Sequence, residues 1–129
     1  MHVPVTTLYA GLLGLMLLGL SAFVVRARGL YKTSLGTGTD RRMEQAVRVH
    51  ANFVEYVPLI VVLMLAAEAS SAPTGLLHGC GATLVLARTL HAFGLARTHG
   101  RSFGRWWGTA LTWTVLLVLA VTDVWLALG

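Results

Sequence analysis

RVHANFVEYVPLIVVLMLAA, residues 48–67, decides the fold. From Val57 onward it is apolar, yet its first half sets Arg48, His50, Asn52 and Glu55 within eight residues. The apolar half alone is too short to cross a hydrocarbon core of ~30 Å, which takes about 20 residues of helix. A span over 46–69 is long enough, and it carries the polar cluster into the membrane with it. Burying an ionisable side chain at that depth costs at least ~2.5 kcal/mol on insertion scales, so such residues are paired or functional.

Three further segments have the length to cross. The first, over 3–25, contains no charge. The third, over 76–96, is interrupted by Arg88 and His91. The fourth, over 106–128, has Asp123 as its sole charge. Inside lipid the backbone must satisfy its own hydrogen bonds, so each span is expected to be a helix. The expected fold is therefore all-α, an integral-membrane four-helix bundle forming a single domain over 1–129. Composition agrees: 56% of the 129 residues are hydrophobic and 12% are charged, against about 25% charged in soluble domains.

The net charge of +5 does not point to nucleic acid, because the basic residues flank the spans. Arg26, Arg28, Lys32, Arg41 and Arg42 lie between spans one and two, and Arg97, Arg101 and Arg105 between three and four. The connection SSAPTG, between two and three, has none. The positive-inside rule puts both basic loops in the cytoplasm and both termini outside. No positive charge precedes the first span and two arginines follow it, which is unlike a signal peptide. Trp106, Trp107, Trp113 and Trp125 suit interfacial anchors. Gly100, Gly104 and Gly108 repeat at a spacing that permits close helix contact. The lone Cys80, in an apolar stretch, excludes an intramolecular disulfide and a cysteine-based metal site.

At 100° per residue, Arg48, Asn52, Glu55 and Leu59 fall within ~60° of one another. Glu44 and Gln45 extend that face toward the cytoplasm, and His50 lies on another. Pro58 removes the amide that would bond to Val54, which predicts a local kink beside the stripe. In span three, Arg88 and His91 are neighbours on one face. Arg88 is either a counter-ion for Glu55 or Asp123, or part of a site shared with the second helix. Arg48 and Arg88 against Glu55, with Arg26 and Arg28 nearby, make a net-positive site. Its natural ligand is a small cytoplasmic anion that also carries an amine or amide. Arginine suits carboxylates because its planar fork grips them bidentately. The alternative is that Arg48 and Glu55 snorkel or pair to hold the bundle together.

Arg48-x-His50-x-Asn52-x-x-Glu55-Tyr56-x-Pro58 resembles the second-helix signature of the MAPEG family, the membrane-associated proteins in eicosanoid and glutathione metabolism. Arg88-x-x-His91 resembles the third-helix pattern of its prostaglandin E synthase branch. VVRARGLYKTSLGTG, residues 24–38, is similar to the first cytoplasmic loop of small bacterial inner-membrane members. The resemblance implies a homotrimer with glutathione bound between subunits near the cytoplasmic side. It implies that Arg48, Asn52 and Glu55 hold glutathione with Tyr56 at its edge. Arg88 and His91 would line the pocket, and Arg26 or Arg28 would reach in from the first helix. For thiolate activation it implies an arginine near the start of the fourth helix, Arg101 with Ser102, or Arg105. The implied activity is a transferase or peroxidase acting on lipophilic electrophiles, with glutathione as co-substrate, in a bacterial inner membrane. The pattern is broken at Leu95, where active members often carry tyrosine, and at Ala51, where the prostaglandin synthase branch has a basic residue. A non-catalytic protein of the same fold that binds lipid or glutathione is the alternative. Four-helix efflux proteins usually place a glutamate deep in the first span, and none is present here.

Overall fold

A computed structural model describes residues 1–97 and 102–129, with the side chains of Leu95 and Ala96 excepted. It contains four helices: α1 (Pro4–Tyr31), α2 (Arg41–Ala69), α3 (Thr74–Arg97) and α4 (Phe103–Leu128). By length and composition α1, α2 and α4 are apolar enough to cross a membrane. The 24-residue α3 is also long enough for a ~30 Å core, but Arg88, His91 and its glycines dilute its apolar run. Each helix that carries a basic loop outruns its expected span: α1 continues to Tyr31 and α2 begins at Arg41. These extra turns carry the basic residues that flank the two spans, Arg26, Arg28, Arg41 and Arg42.

Helix ends are set by specific groups. Pro4 opens α1, where no side chain of its own caps the exposed amides. Glu68, near the far end of α2, supplies the acceptors instead: the amides of Val5 and Thr6 donate to its carboxylate at 2.9 and 2.6 Å. A carboxylate suits this place because the first-turn N–H groups lack partners and the helix dipole is positive there. Lys32 takes the left-handed conformation that ends α1, with φ 49°. Asp40 caps α2 by accepting from the Arg42 amide at 2.8 Å. Pro58 lies inside α2, which continues through it to Ala69.

Helix α2 is the axis of the bundle. Its buried positions, Met43, Ala46, Val49, Phe53, Val57, Ile60, Met64 and Ala67, recur at the spacing of a helix–helix seam. It packs against the other three helices, α1 also packs on α3, and α3 packs on α4. Leu13, Phe53, Ile60, Met64, Leu77, Leu84 and Leu119 form the centre of the main core. The exterior is apolar as well: Leu15, Leu18, Val25, Leu59, Val62, Leu117 and Val121 are all exposed. Such a continuous apolar surface is a liability in water and a match for lipid. Trp106, Trp107, Trp113 and Trp125 also point outward.

Between lipid-immersed helices there is no water to expel, so close packing must hold them together. The α3–α4 crossing shows how. A Cβ added at Gly104 would sit 2.6 Å from the Leu90 carbonyl oxygen, and one at Gly108 would sit 2.7 Å from the Ala87 oxygen and from His91 Cβ. Gly94 faces the start of α4 at similarly short range. The expected Gly104 and Gly108 contact is thus realised within one chain; Gly100 lies outside the described residues.

Candidate functional site

The polar face of α2 follows from its seam. Arg48 and Asn52 each sit one position before a buried core residue, Val49 and Phe53, so they border the core without entering it. Arg41, Glu44, Gln45, Arg48 and Asn52 from α2, His91 from α3 and Arg105 from α4 line a cavity of about 370 Å³. It lies at the end of the bundle where the basic loops are. Three arginines against one glutamate make its lining net positive.

Behind Asn52 lies Arg88, 2% exposed. Its Nη2 donates to Asn52 Oδ1 at 2.7 Å and its Nη1 approaches Thr112 Oγ1 at 3.5 Å. Thr112 donates its own hydroxyl hydrogen to the Gly108 carbonyl, at 2.7 Å, so its lone pairs face the guanidinium. The plane of Arg88 also stands 5.7 Å from the centroid of the Phe53 ring, a distance at which a cation is attracted to the aromatic face. Arg88 therefore meets neutral groups, while Glu55 pairs with Arg48 at 3.7 Å. Of the two roles open to Arg88, the counter-ion role toward Glu55 or Asp123 is not taken up. The reason is depth: Arg88 points into the bundle and Glu55 stands half exposed on its outside. Arg88 Nε and His91 Nδ1 are buried without a hydrogen-bond partner. Polar atoms left so are costly.

The other candidates are distributed as follows. Tyr56 is partly buried against the main core. His50, expected on another face, bonds through Nε2 to Ser21 Oγ of α1 at 3.1 Å. Arg28 is turned to the loop after α1, donating to the carbonyls of Thr33 and Gly36 at 3.2 and 3.0 Å. Arg26 borders a second hollow with Phe23, Tyr31, Arg42 and Gln45, the last of which also lines the cavity. Ser102 caps α4, accepting from the Arg105 amide at 3.2 Å, and so fixes where Arg105 leaves the helix. Arg101 lies outside the described residues, as does the side chain of Leu95. The structure thus gathers Arg48, Asn52, His91 and Arg105 around one cavity, with Arg88 behind it. Arg26, Arg28, Glu55 and Tyr56, also expected at the site, do not line that cavity.

Two participants escaped the sequence reading. Arg41 looked like a loop charge, although it lies one turn from Gln45 on the same helical face. Thr112 carried no signal of its own; only its place opposite Arg88 gives it a role. The Tyr9 hydroxyl donates to the His78 carbonyl at 3.2 Å and lies 3.2 Å from His78 Nδ1. Both carboxylate oxygens of Asp123 are buried without a partner among the described residues.

Comparison with known proteins extends from α1 almost to the end of α4. The family model described as MAPEG family matches residues 6–125. "Inner membrane protein YecN" of Escherichia coli (strain K12) is 39% identical over 123 residues, covering 94% of this chain and 91% of that protein. The protein of the same name from Escherichia coli O6:H1 (strain CFT073) matches to the same extent. With four helices in the expected order, and a match over nearly its whole length, this chain belongs to the MAPEG family.

Proposed function

We propose that this protein is a membrane-bound, glutathione-dependent transferase or peroxidase acting on lipophilic electrophiles. The observation that carries the reading is the cavity at the basic end of the bundle, which combines arginines with acid and amide groups. Glutathione offers two carboxylates, one ammonium and two peptide amides. Arg41, Arg48 and Arg105 suit the carboxylates, Glu44 suits the ammonium, and Asn52 and Gln45 suit the peptide groups. Glu55 does not line the cavity; through its pair with Arg48 it would orient that guanidinium toward the ligand. The buried, unpartnered His91 Nδ1 is a group that a bound polar ligand or water would satisfy.

The reaction needs a thiolate, and an adjacent guanidinium lowers the energy of that anion. Arg105 is the described residue best placed for this, with Ser102 setting its start of helix. In a transfer, the thiolate sulfur forms a bond to the electrophilic carbon as the leaving group departs or a strained ring opens. The thiol proton passes to solvent. The apolar exterior beside the cavity lets such a substrate arrive from lipid. The family relationship supports assembly as a homotrimer with glutathione held between subunits. The inner-membrane relative supports an inner-membrane location, and the basic loops support an orientation with both termini outside.

Titration of the detergent-purified protein with glutathione, followed by turnover of an aryl halide, tests this reading. Glutathione binding with conjugation is expected, and Glu55→Gln is expected to weaken binding at least several-fold. Unchanged affinity in that variant returns Glu55 to a purely structural role. Binding without turnover of electrophiles or hydroperoxides favours the non-catalytic alternative, which the leucine at position 95 supports. Absence of binding removes both.

A further inference from the structure

Helices α1 and α3 run parallel with a groove between them that shares no lining residue with the cavity. Met16, Gly19, Leu20 and Phe23 form one wall, Thr89, Ala92 and Phe93 the other, and Val49 of α2 the floor. The groove holds about 420 Å³. Its polar capacity is nil: the single hydroxyl, that of Thr89, is committed to the Val85 carbonyl at 2.8 Å. A Cβ added at Gly19 would meet nothing within 4 Å, so this glycine leaves open space rather than a close contact. Polar ligands have nothing to bind here, and an apolar chain does.

The end of the groove has the opposite character. Phe93 is exposed, and one turn further along α3 the guanidinium of Arg97 stands over its ring, 5.6 Å from the centroid. On α1 the pattern repeats: Phe23 lines the groove, and Arg26 follows one turn later, exposed, beside a hollow that shares Phe23. Parallel helices bring both arginines to the same end, the one where the basic loops are. No acidic residue lines the groove or that hollow.

We infer that the α1–α3 edge is a binding site for an anionic phospholipid. One acyl chain lies in the groove, and the phosphate sits between Arg97 and Arg26. Charge complementarity selects this occupant. The cations stand at one end only of an otherwise apolar slot, which is the charge pattern of an amphiphile with a negative head. An arginine near the membrane surface contributes about 1 kcal/mol toward an anionic lipid, or roughly fivefold in affinity. This inference does not depend on glutathione chemistry, since none of the groove's lining residues touches the cavity.

Native mass spectrometry of the detergent-purified protein with added phosphatidylglycerol or phosphatidylcholine of identical chains tests it. Retention of phosphatidylglycerol is expected to exceed that of phosphatidylcholine by about 25-fold, about fivefold for each of the two arginines. Arg97→Gln should bring the two toward parity. Gly19→Leu, which fills the groove, should reduce retention of both. Parity in the unaltered protein overturns the proposal, and that comparison needs no variant to fold. So does unchanged retention in Gly19→Leu, or displacement of the lipid by glycerol phosphate, which has the head and no chain. A change of oligomer mass in Gly19→Leu with lipid retention unaltered would instead assign the groove to a second copy of the chain.

Discussion

Arg88 is the residue on which the interior of the site turns. A buried guanidinium must be surrounded by acceptors, and here Asn52 supplies the short bond and Thr112 a long one. Removing one acceptor leaves a cation under-satisfied at depth, which costs about 2–3 kcal/mol. Asn52→Leu is therefore expected to lower the melting temperature in detergent by several degrees, whereas Thr112→Val should cost much less. Equal losses, read by differential scanning fluorimetry, would contradict this ranking. Glu55 is the contrasting case. Its pair with Arg48 is 3.7 Å long and both partners are half exposed, so it contributes at most ~1 kcal/mol to stability. Glu55→Gln should leave the melting temperature almost unchanged, which makes its effect on ligand affinity a clean readout. The side chains of the opening stretch were legible in sequence down to their face on the helix. Which of them would touch Arg88 was not, because periodicity fixes a direction and not a distance.

Among the elements, the α3–α4 crossing has the least tolerance. Gly104→Ala and Gly108→Ala each drive a methyl group against a backbone carbonyl at 2.6–2.7 Å, and backbone cannot swing aside as a side chain does. Overpacking of this kind costs about 1–3 kcal/mol. Gly108→Ala should in addition displace His91 and so weaken glutathione binding. Gly11→Ala, with nothing within 4 Å of the new Cβ, is the control and should be neutral or mildly stabilising in a helix. At the other end of the bundle, Glu68 holds the first turn of α1. Glu68→Ala should release that turn at a cost of about 1 kcal/mol, the usual worth of a capping group. Faster hydrogen exchange at the amides of Val5 and Thr6, with the interior of α1 unchanged, is the expected signature. The four helices and their order were readable from hydropathy, to within a few residues at the ends. The extra turns of α1 and the early start of α4 at Phe103 were not, because polar helix beyond the hydrocarbon resembles a loop in composition.

For the whole molecule, the distribution of basic residues predicts topology. With Cys80 replaced by alanine, a cysteine introduced at Ser71 should react with a membrane-impermeant maleimide in intact cells. One introduced at Thr33 should react only after the membrane is opened. The reverse pattern would invert the orientation, and with it the side from which glutathione enters. Mass measurement in detergent tests the trimer, expected at three times the 13.8 kDa chain.

Read alone, the sequence determined the helical, membrane-spanning character of the chain, the position of its basic loops and the polar stripe of α2. These depend on quantities local to a segment: hydropathy, charge and the 3.6-residue repeat. It also carried the family signature, later matched along residues 6–125. Only the tertiary structure decided that Arg88 meets Asn52 and Thr112 and that Arg48 is the partner of Glu55. It likewise decided that Arg41 and Arg105 share a cavity while Arg28 turns to a loop. Those outcomes depend on how far each helix slides and rotates against its neighbours. In lipid no hydrophobic force fixes that register; it is fixed by where glycines let backbones approach and where buried polar groups find acceptors.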